Sequence, residues 1–141
     1  MFDKILLPTD GSEFSENEVE RAIKALSDGG EIIILSVATK LDASTPFHNK
    51  KRIKRVNKDF FKEAQENVER MAKRFDERVK VKKMVVEGLP SDKIVEIADE
   101  EDVDLIIIAA SGKSGLQKFF IGSVAEKVLK STERDVLLIH N

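Results

Sequence analysis

Two short stretches of this chain hold residues of the types and spacing that do chemistry. The first is Asp104–Val124. A β-branched apolar run stops at Ala109-Ala110-Ser111-Gly112, a polar loop containing Gly112 and Gly115 follows, and a helix is expected to open at Gly122-Ser123. A buried strand, a glycine loop and a helix N-terminus in that order gather backbone N–H groups with few side chains in the way. The helix dipole adds a preference for negative charge, so the chemistry is capture of an anion such as phosphate. Single glycines more often only make turns. Gly112 and Gly122, however, stand on the two sides of one strand-to-helix connection, which favours a ligand.

The tripeptide Gly112-Lys113-Ser114 looks like the tail of a phosphate-binding P-loop, but the pattern fails. That motif needs a glycine five residues before its last one, and the position is Ile107, inside the apolar run. Ser114 is followed by Gly115 and not by a helical pattern.

The second stretch is Pro8-Thr9-Asp10-Gly11-Ser12, the exit of the first apolar run. Asp10 taken alone reads as a turn or helix-capping residue. Its place at a strand exit is what makes a ligand or metal role credible. No other constellation suggests catalysis. There is no cysteine, His48 and His140 are far from every glycine loop, and no Ser/His/Asp or paired-carboxylate arrangement can be assigned.

These residues need elements to position them. Five apolar runs read as strands, at Lys4–Pro8, Glu31–Val37, Val79–Val86, Asp104–Ala109 and Asp135–His140. Four segments with helical spacing alternate with them. Val19, Ala22, Ile23 and Leu26 share one face, and Ser15 with Glu18 has the spacing of a capping box. Phe60, Ala64, Val68, Met71, Ala72 and Phe75 form a second stripe. Ile94, Val95, Ile97 and Ala98 follow a start at Pro90-Ser91-Asp92, and Val124, Ala125, Val128 and Leu129 follow Gly122-Ser123. The stripes read as core.

Strands alternating with helices predict an α/β fold, a single doubly wound five-stranded parallel sheet with helices on both faces, because each crossover is right-handed and covers one face. Open sheets of this kind bind ligands at the carboxyl ends of strands where the winding reverses. In the order 3-2-1-4-5 the first and fourth strands are neighbours there, and Pro8–Asp10 face Ala109–Gly112 across a crevice. The last strand, Val136-Leu137-Leu138-Ile139, falls at a sheet edge with no Lys or Pro to block pairing.

Length and composition fit this picture. A chain of 141 residues suits one domain over 1–141, and 41% apolar with 35% charged residues is typical of a soluble globular protein. A net charge of −2 gives no global field for nucleic acid or anionic membrane. No apolar run approaches a membrane span, and a strand pattern begins at Lys4, so a cytoplasmic protein is expected. The irregular part is Thr39–Asn57, with Pro46, His48 and the basic cluster Lys50–Arg55. It reads as a solvated loop entering the second helix, the alternative being a lid that contacts phosphates.

Taken together the residues resemble the universal stress protein family over nearly the whole chain. The landmarks are the opening ILLPTDGSEFS, the second strand ending LSV, the turn Glu87-Gly88-Leu89-Pro90, the strand DLIIIAAS, and GKSGLQKFFIGSVAEKVLKS leading to DVLLIH. The resemblance implies the 3-2-1-4-5 sheet and a homodimer. One branch of the family binds ATP through Gly, two residues, Gly, nine residues, then Gly and Ser or Thr. Gly112, Gly122 and Ser123 fit that pattern, whereas Ala109 replaces its first glycine and Ser111 the histidine common before the second.

Carried over, the resemblance assigns Pro8, Thr9, Asp10 and Val37 to the nucleoside side, and Ala109, Gly112, Gly122, Ser123 and Val124 to the phosphate side. Asp10, which would repel bare phosphates, would act through Mg²⁺ or on a ribose or amino group. The expected function is an ATP-binding stress-response or signalling protein acting as a homodimer through Val136, Leu137, Leu138 and Ile139. A dimeric interaction module with a weakened site, and a slow ATPase, are the alternatives. Neither a His-x-Gly-His signature nor a Ser-Gly-Gly-x-Asp-Ser loop of a nucleotidyl transferase is present.

Overall fold

The structure, a computed structural model, describes residues 1–42, 44, 49–111 and 121–140. In chain order the elements are β1 (Phe2–Pro8), α1 (Glu13–Glu16), α2 (Glu18–Ala25), β2 (Leu26–Ala38), α3 (Lys50–Ala72), β3 (Lys80–Glu87), α4 (Pro90–Glu100), β4 (Leu105–Ala109), α5 (Ser123–Ser131) and β5 (Asp135–Ile139). The strands form one sheet in the order β3-β2-β1-β4-β5, every pair parallel. This is the expected doubly wound arrangement.

The two-residue period of a strand divides the core into two layers. Ile5, Leu7, Ile32, Ile34 and Ile107 point to one face, where Val19 and Ala22 of α2 and Val68 and Met71 of α3 cover them. Leu6, Ile33, Leu35, Ile106 and Ile108 point to the other, against Ile94, Ile97 and Ala98 of α4 and Ala125 and Val128 of α5. Central strands buried on both faces must be apolar at successive positions, which is why β1, β2 and β4 read as unbroken runs. Each fully buried Leu or Ile contributes about 1.5–3 kcal/mol relative to exposure.

The two sheet edges differ. On β3, Lys80 pairs with Glu31, Lys82 with Glu101 and Lys83 with Glu69, so charge guards that edge. β5 carries Val136, Leu137 and Leu138 instead, with Leu137 38% exposed.

Several local expectations are corrected. Leu26 opens β2 and is not in the first helix, and Ile23 is 53% exposed. Hence only Val19 and Ala22 of that stripe are buried. The Ser15/Glu18 capping box does not form. Ser12 caps α1 by accepting from the Ser15 amide, and Glu18 turns inward at the start of the separate helix α2. In α5, Leu129 is 39% exposed, and Phe75 lies beyond the end of α3 yet stays buried.

The basic cluster is not a loop. Asn49 accepts from the Arg52 amide at 2.8 Å and starts α3, so Lys50–Arg55 form its first turns. Within them Ile53 is buried and the charged residues lie outward. Pro46 and His48 are outside the described residues, as is Gly112.

Candidate functional site

The pairing of β1 shows where the sheet opens. Against β2 it stays in register to Pro8↔Leu35, and β4 stays in register with β5 to Ala109↔Ile139. Between β1 and β4, pairing is confined to Ile5↔Leu105 and Leu6↔Ile106. Past Leu6 and Ile106 the two strands part. This is the reversal point of the winding, because the crossovers on its two sides lead away from each other.

A cavity of about 330 Å³ fills the opening. Pro8, Thr9, Asp10, Val37, Ala109, Gly122, Ser123 and Val124 line it. Gly112 is the one proposed site residue outside the described part of the chain. Residues from β1, β2, β4 and α5, distant in sequence, therefore meet at the carboxyl edge of the sheet.

The β1 exit is held by short polar contacts. The Thr9 amide donates to the Leu35 carbonyl at 2.8 Å, and the Ser36 hydroxyl donates to the Thr9 carbonyl at 3.0 Å. Thr9 Oγ1 and Ser15 Oγ lie 2.9 Å apart, and the Gly11 amide donates to Thr9 Oγ1 at 3.1 Å. Gly11 has φ +83°, and a Cβ there would come within 2.4 Å of Asn67 Oδ1 on α3, so glycine is required at this turn. The turn leaves Asp10 exposed at the cavity mouth, with its Oδ1 accepting from the Ser12 amide at 2.9 Å.

Across the opening, the Gly122 amide donates to the Ala110 carbonyl at 2.7 Å and fixes the start of α5 beside the end of β4. Gly122 has φ −64° and ψ 156°, which any residue adopts, so its contribution is space and not backbone freedom. Among the described residues no side chain caps α5, and its first turn lines the cavity with amides that no described side chain accepts from. This is the arrangement that accepts an anion. Among the described residues Asp102 is the one non-glycine with positive φ, so Ala109 sits in ordinary strand backbone.

The residue that sequence reasoning missed is Glu18. Its side chain is fully buried, lines the cavity, and accepts at Oε1 from the Ala109 amide at 3.1 Å. Its other oxygen, Oε2, is buried with no hydrogen-bond partner. Burial pushes the carboxyl well above its ordinary range. The Ala109 hydrogen bond opposes that shift, and the negative Asp10 nearby adds to it. The available signal was spacing: Glu18 lies one helical turn before Ala22, on the face that the helix buries. Ser15 and Ser111, both buried, also line the cavity and were not singled out as ligand contacts.

A second hollow of about 520 Å³ lies between α3 and the ends of β2 and β3, where Lys40, Lys50, Lys54 and Lys58 surround Ile53 and Phe61. Among the described residues no group of three or more His, Cys, Asp or Glu is placed to hold a metal ion. No described helix is long and apolar enough to cross a membrane.

A doubly wound parallel sheet, open at the β1/β4 reversal beside an uncapped helix start, defines an α/β protein of the ligand-crevice type. Residues 1–140 match the universal stress protein family, and the chain belongs to it. Universal stress protein MJ0531 of Methanocaldococcus jannaschii is 32% identical, over 99% of this chain and 82% of the relative. Universal stress protein MJ0577 of the same organism is 33% identical, over 99% and 95%. The solved structure of MJ0577 superposes with a TM-score of 0.83, covering 99% of this chain and 96% of the other. A universal stress protein solved in complex with cAMP is 25% identical, with a TM-score of 0.61 over 99% and 97%.

Proposed function

We propose that this protein binds an adenine nucleotide, ATP with Mg²⁺, in the β1/β4 crevice and works as a homodimer in stress response or signalling. The observation that carries the reading is the uncapped start of α5 opening onto a cavity whose opposite wall is the β1 exit. Phosphates would accept from the first-turn amides of α5 that follow Gly122, beginning at Ser123, and from Ser123 Oγ. Pro8, Thr9, Asp10 and Val37 would hold the nucleoside. The family relative in complex with cAMP supports an adenine ligand. The exposed carboxylate of Asp10 at the cavity mouth suits a magnesium ion carried in by the phosphates, because such ions take few protein ligands.

The homodimer would form through β5, where Leu137 is exposed and Asp135, at the first position, is the one charged residue of the strand. Mass spectrometry of small molecules released from freshly purified, acid-denatured protein tests the ligand directly. An adenine nucleotide at near one per chain supports the reading. If none is found and calorimetry detects no ATP binding at millimolar concentration, the reading fails.

One observation favours a second reading, a dimeric interaction module with a weakened site. Glu18 places a carboxyl group on the cavity wall where phosphates would approach. A slow ATPase is a third reading, tested by phosphate release under single-turnover conditions.

A further inference from the structure

The opening of the sheet creates a local problem that Glu18 solves by half. Once β1 and β4 part beyond Leu6↔Ile106, the Ala109 amide has no ladder acceptor on β1. Glu18 reaches from the start of α2 and supplies one, through Oε1 at 3.1 Å. The carboxyl group has a second oxygen, which is buried and has no hydrogen-bond partner, and a small turn of the side chain toward the cavity it lines would bring that atom to a ligand. The nearby hydroxyls do not compensate for it, since Thr9 and Ser15 hydrogen-bond to each other and Ser15 Oγ donates to the Ser12 carbonyl. An unpartnered oxygen on a fully buried acid is costly in either charge state, and a cavity wall is where a ligand can relieve that cost.

The charged surroundings do not favour an anion. Asp10, at the β1 exit, acts on Glu18 with like sign. On α1, Glu13 is exposed and Glu16 half-buried; on α2, Glu20, Arg21 and Lys24 are exposed. On α5, Glu126 is paired with Lys130, and Lys127 with Asp92 of α4. The parts of β2 and β4 that line the cavity contribute Leu35, Val37, Ile108 and Ala109, none of them titratable. Arg70 of α3 is directed to the Gly11 carbonyl and to Asn67 Oδ1, so among the described residues no cation is paired with this buried acid. Such a group is kept as a neutral carboxylic acid, and in that form Oε2 carries a proton it can donate. Ala109, to which Glu18 is bonded, adjoins the Ala110 carbonyl that holds the start of α5, so this donor lies on the phosphate side of the crevice.

Resting on the nucleotide reading above, we propose that Glu18 is a ligand-contacting residue that donates from Oε2, as a neutral acid, to a phosphate oxygen, so that binding takes up a proton whenever Glu18 is ionised in the free protein. Ionised, the same group repels the phosphates. Affinity for ATP therefore falls as pH rises, by up to about tenfold per pH unit between the Glu18 titration points of the free and the bound protein.

The test is titration calorimetry of the full chain with Mg-ATP between pH 6 and 9, in paired buffers of different ionisation enthalpy, on wild type and Glu18→Gln. Glutamine keeps the shape, can accept from Ala109 and donate to phosphate, and does not titrate. The expected result is uptake approaching one proton in wild type beyond that of Glu18→Gln, with the variant binding more tightly than wild type at the alkaline end. Equal proton uptake in the two proteins, or none in wild type across the range, overturns the proposal while leaving nucleotide binding intact. If Glu18→Gln does not fold, Glu18→Ala, which also does not titrate, supplies the reference proton count. Failure of both proteins to bind ATP at any pH removes the nucleotide reading itself, and the proposal with it.

Discussion

The Glu18 carboxyl group and the Ala109 amide are joined at 3.1 Å, tying the first residue of α2 to the last residue of β4 across the opening of the sheet. The bond uses main-chain N–H on one side, so the identity of the residue at 109 does not decide it. It makes the floor of the crevice a built feature of the tertiary fold.

Ala109→Gly keeps that amide and removes one methyl from the cavity wall. Affinity for Mg-ATP is expected to stay the same or improve, while thermal stability falls by roughly 0.5–1 kcal/mol from the added backbone freedom. Calorimetry and a melting curve on the same preparation check both parts. A clear loss of affinity would show that the methyl packs against the ligand.

Gly122→Val should abolish detectable ATP binding and leave the fold intact. The backbone at 122 accommodates valine, but a branched side chain at the mouth of α5 stands where phosphates approach. Ser123→Ala should cost only ~1–2 kcal/mol of binding, the scale of one hydrogen bond to a charged acceptor. Circular dichroism beside the titrations separates a blocked site from an unfolded protein.

Folding stability should also record Glu18. Its carboxyl is raised in the folded protein above its unfolded value, so between those two points the folded state holds more protons than the unfolded one. The Glu18 contribution is therefore fully present below the unfolded value and is lost as pH rises through the folded one. Urea melts of wild type and Glu18→Gln should show a difference that shifts in favour of the variant from pH 5 to pH 8. A constant difference would mean that Glu18 does not titrate in this window.

The edge strand calls for a choice of substitution. Leu138 packs with Val136 against the layer beneath α4 and α5, so Leu138→Lys would strain the fold as well as any interface. Leu137, exposed in the single chain, is the cleaner probe. Leu137→Lys should give a folded monomer where wild type sediments as a dimer at micromolar concentration. A wild-type monomer under those conditions would discard the β5 interface.

The sequence by itself determined the strands and the doubly wound class, while the order 3-2-1-4-5, and with it the edge at which the crevice opens, was what the family resemblance implied. Apolar runs such as Leu105–Ile108 cannot be satisfied except in a sheet covered on both faces, and the alternation with helices leaves few ways to wind it. It likewise fixed Pro8–Asp10 and Gly122–Val124 as candidates, since a strand exit and a helix start are local events. Local spacing was a poor guide where the chain turns sharply. It placed Leu26 in a helix because i, i+3 and i+4 neighbours cannot reveal that α2 ends at Ala25 and feeds straight into β2. It also read Lys50–Arg55 as a loop because charge masks the helix that Asn49 begins. What only the tertiary structure decided is the role of Glu18. A capping box and a buried acid look alike at one-turn spacing. The distinction rests on the parting of β1 from β4, which leaves the Ala109 amide in need of an acceptor contributed by a residue 91 positions earlier in the chain.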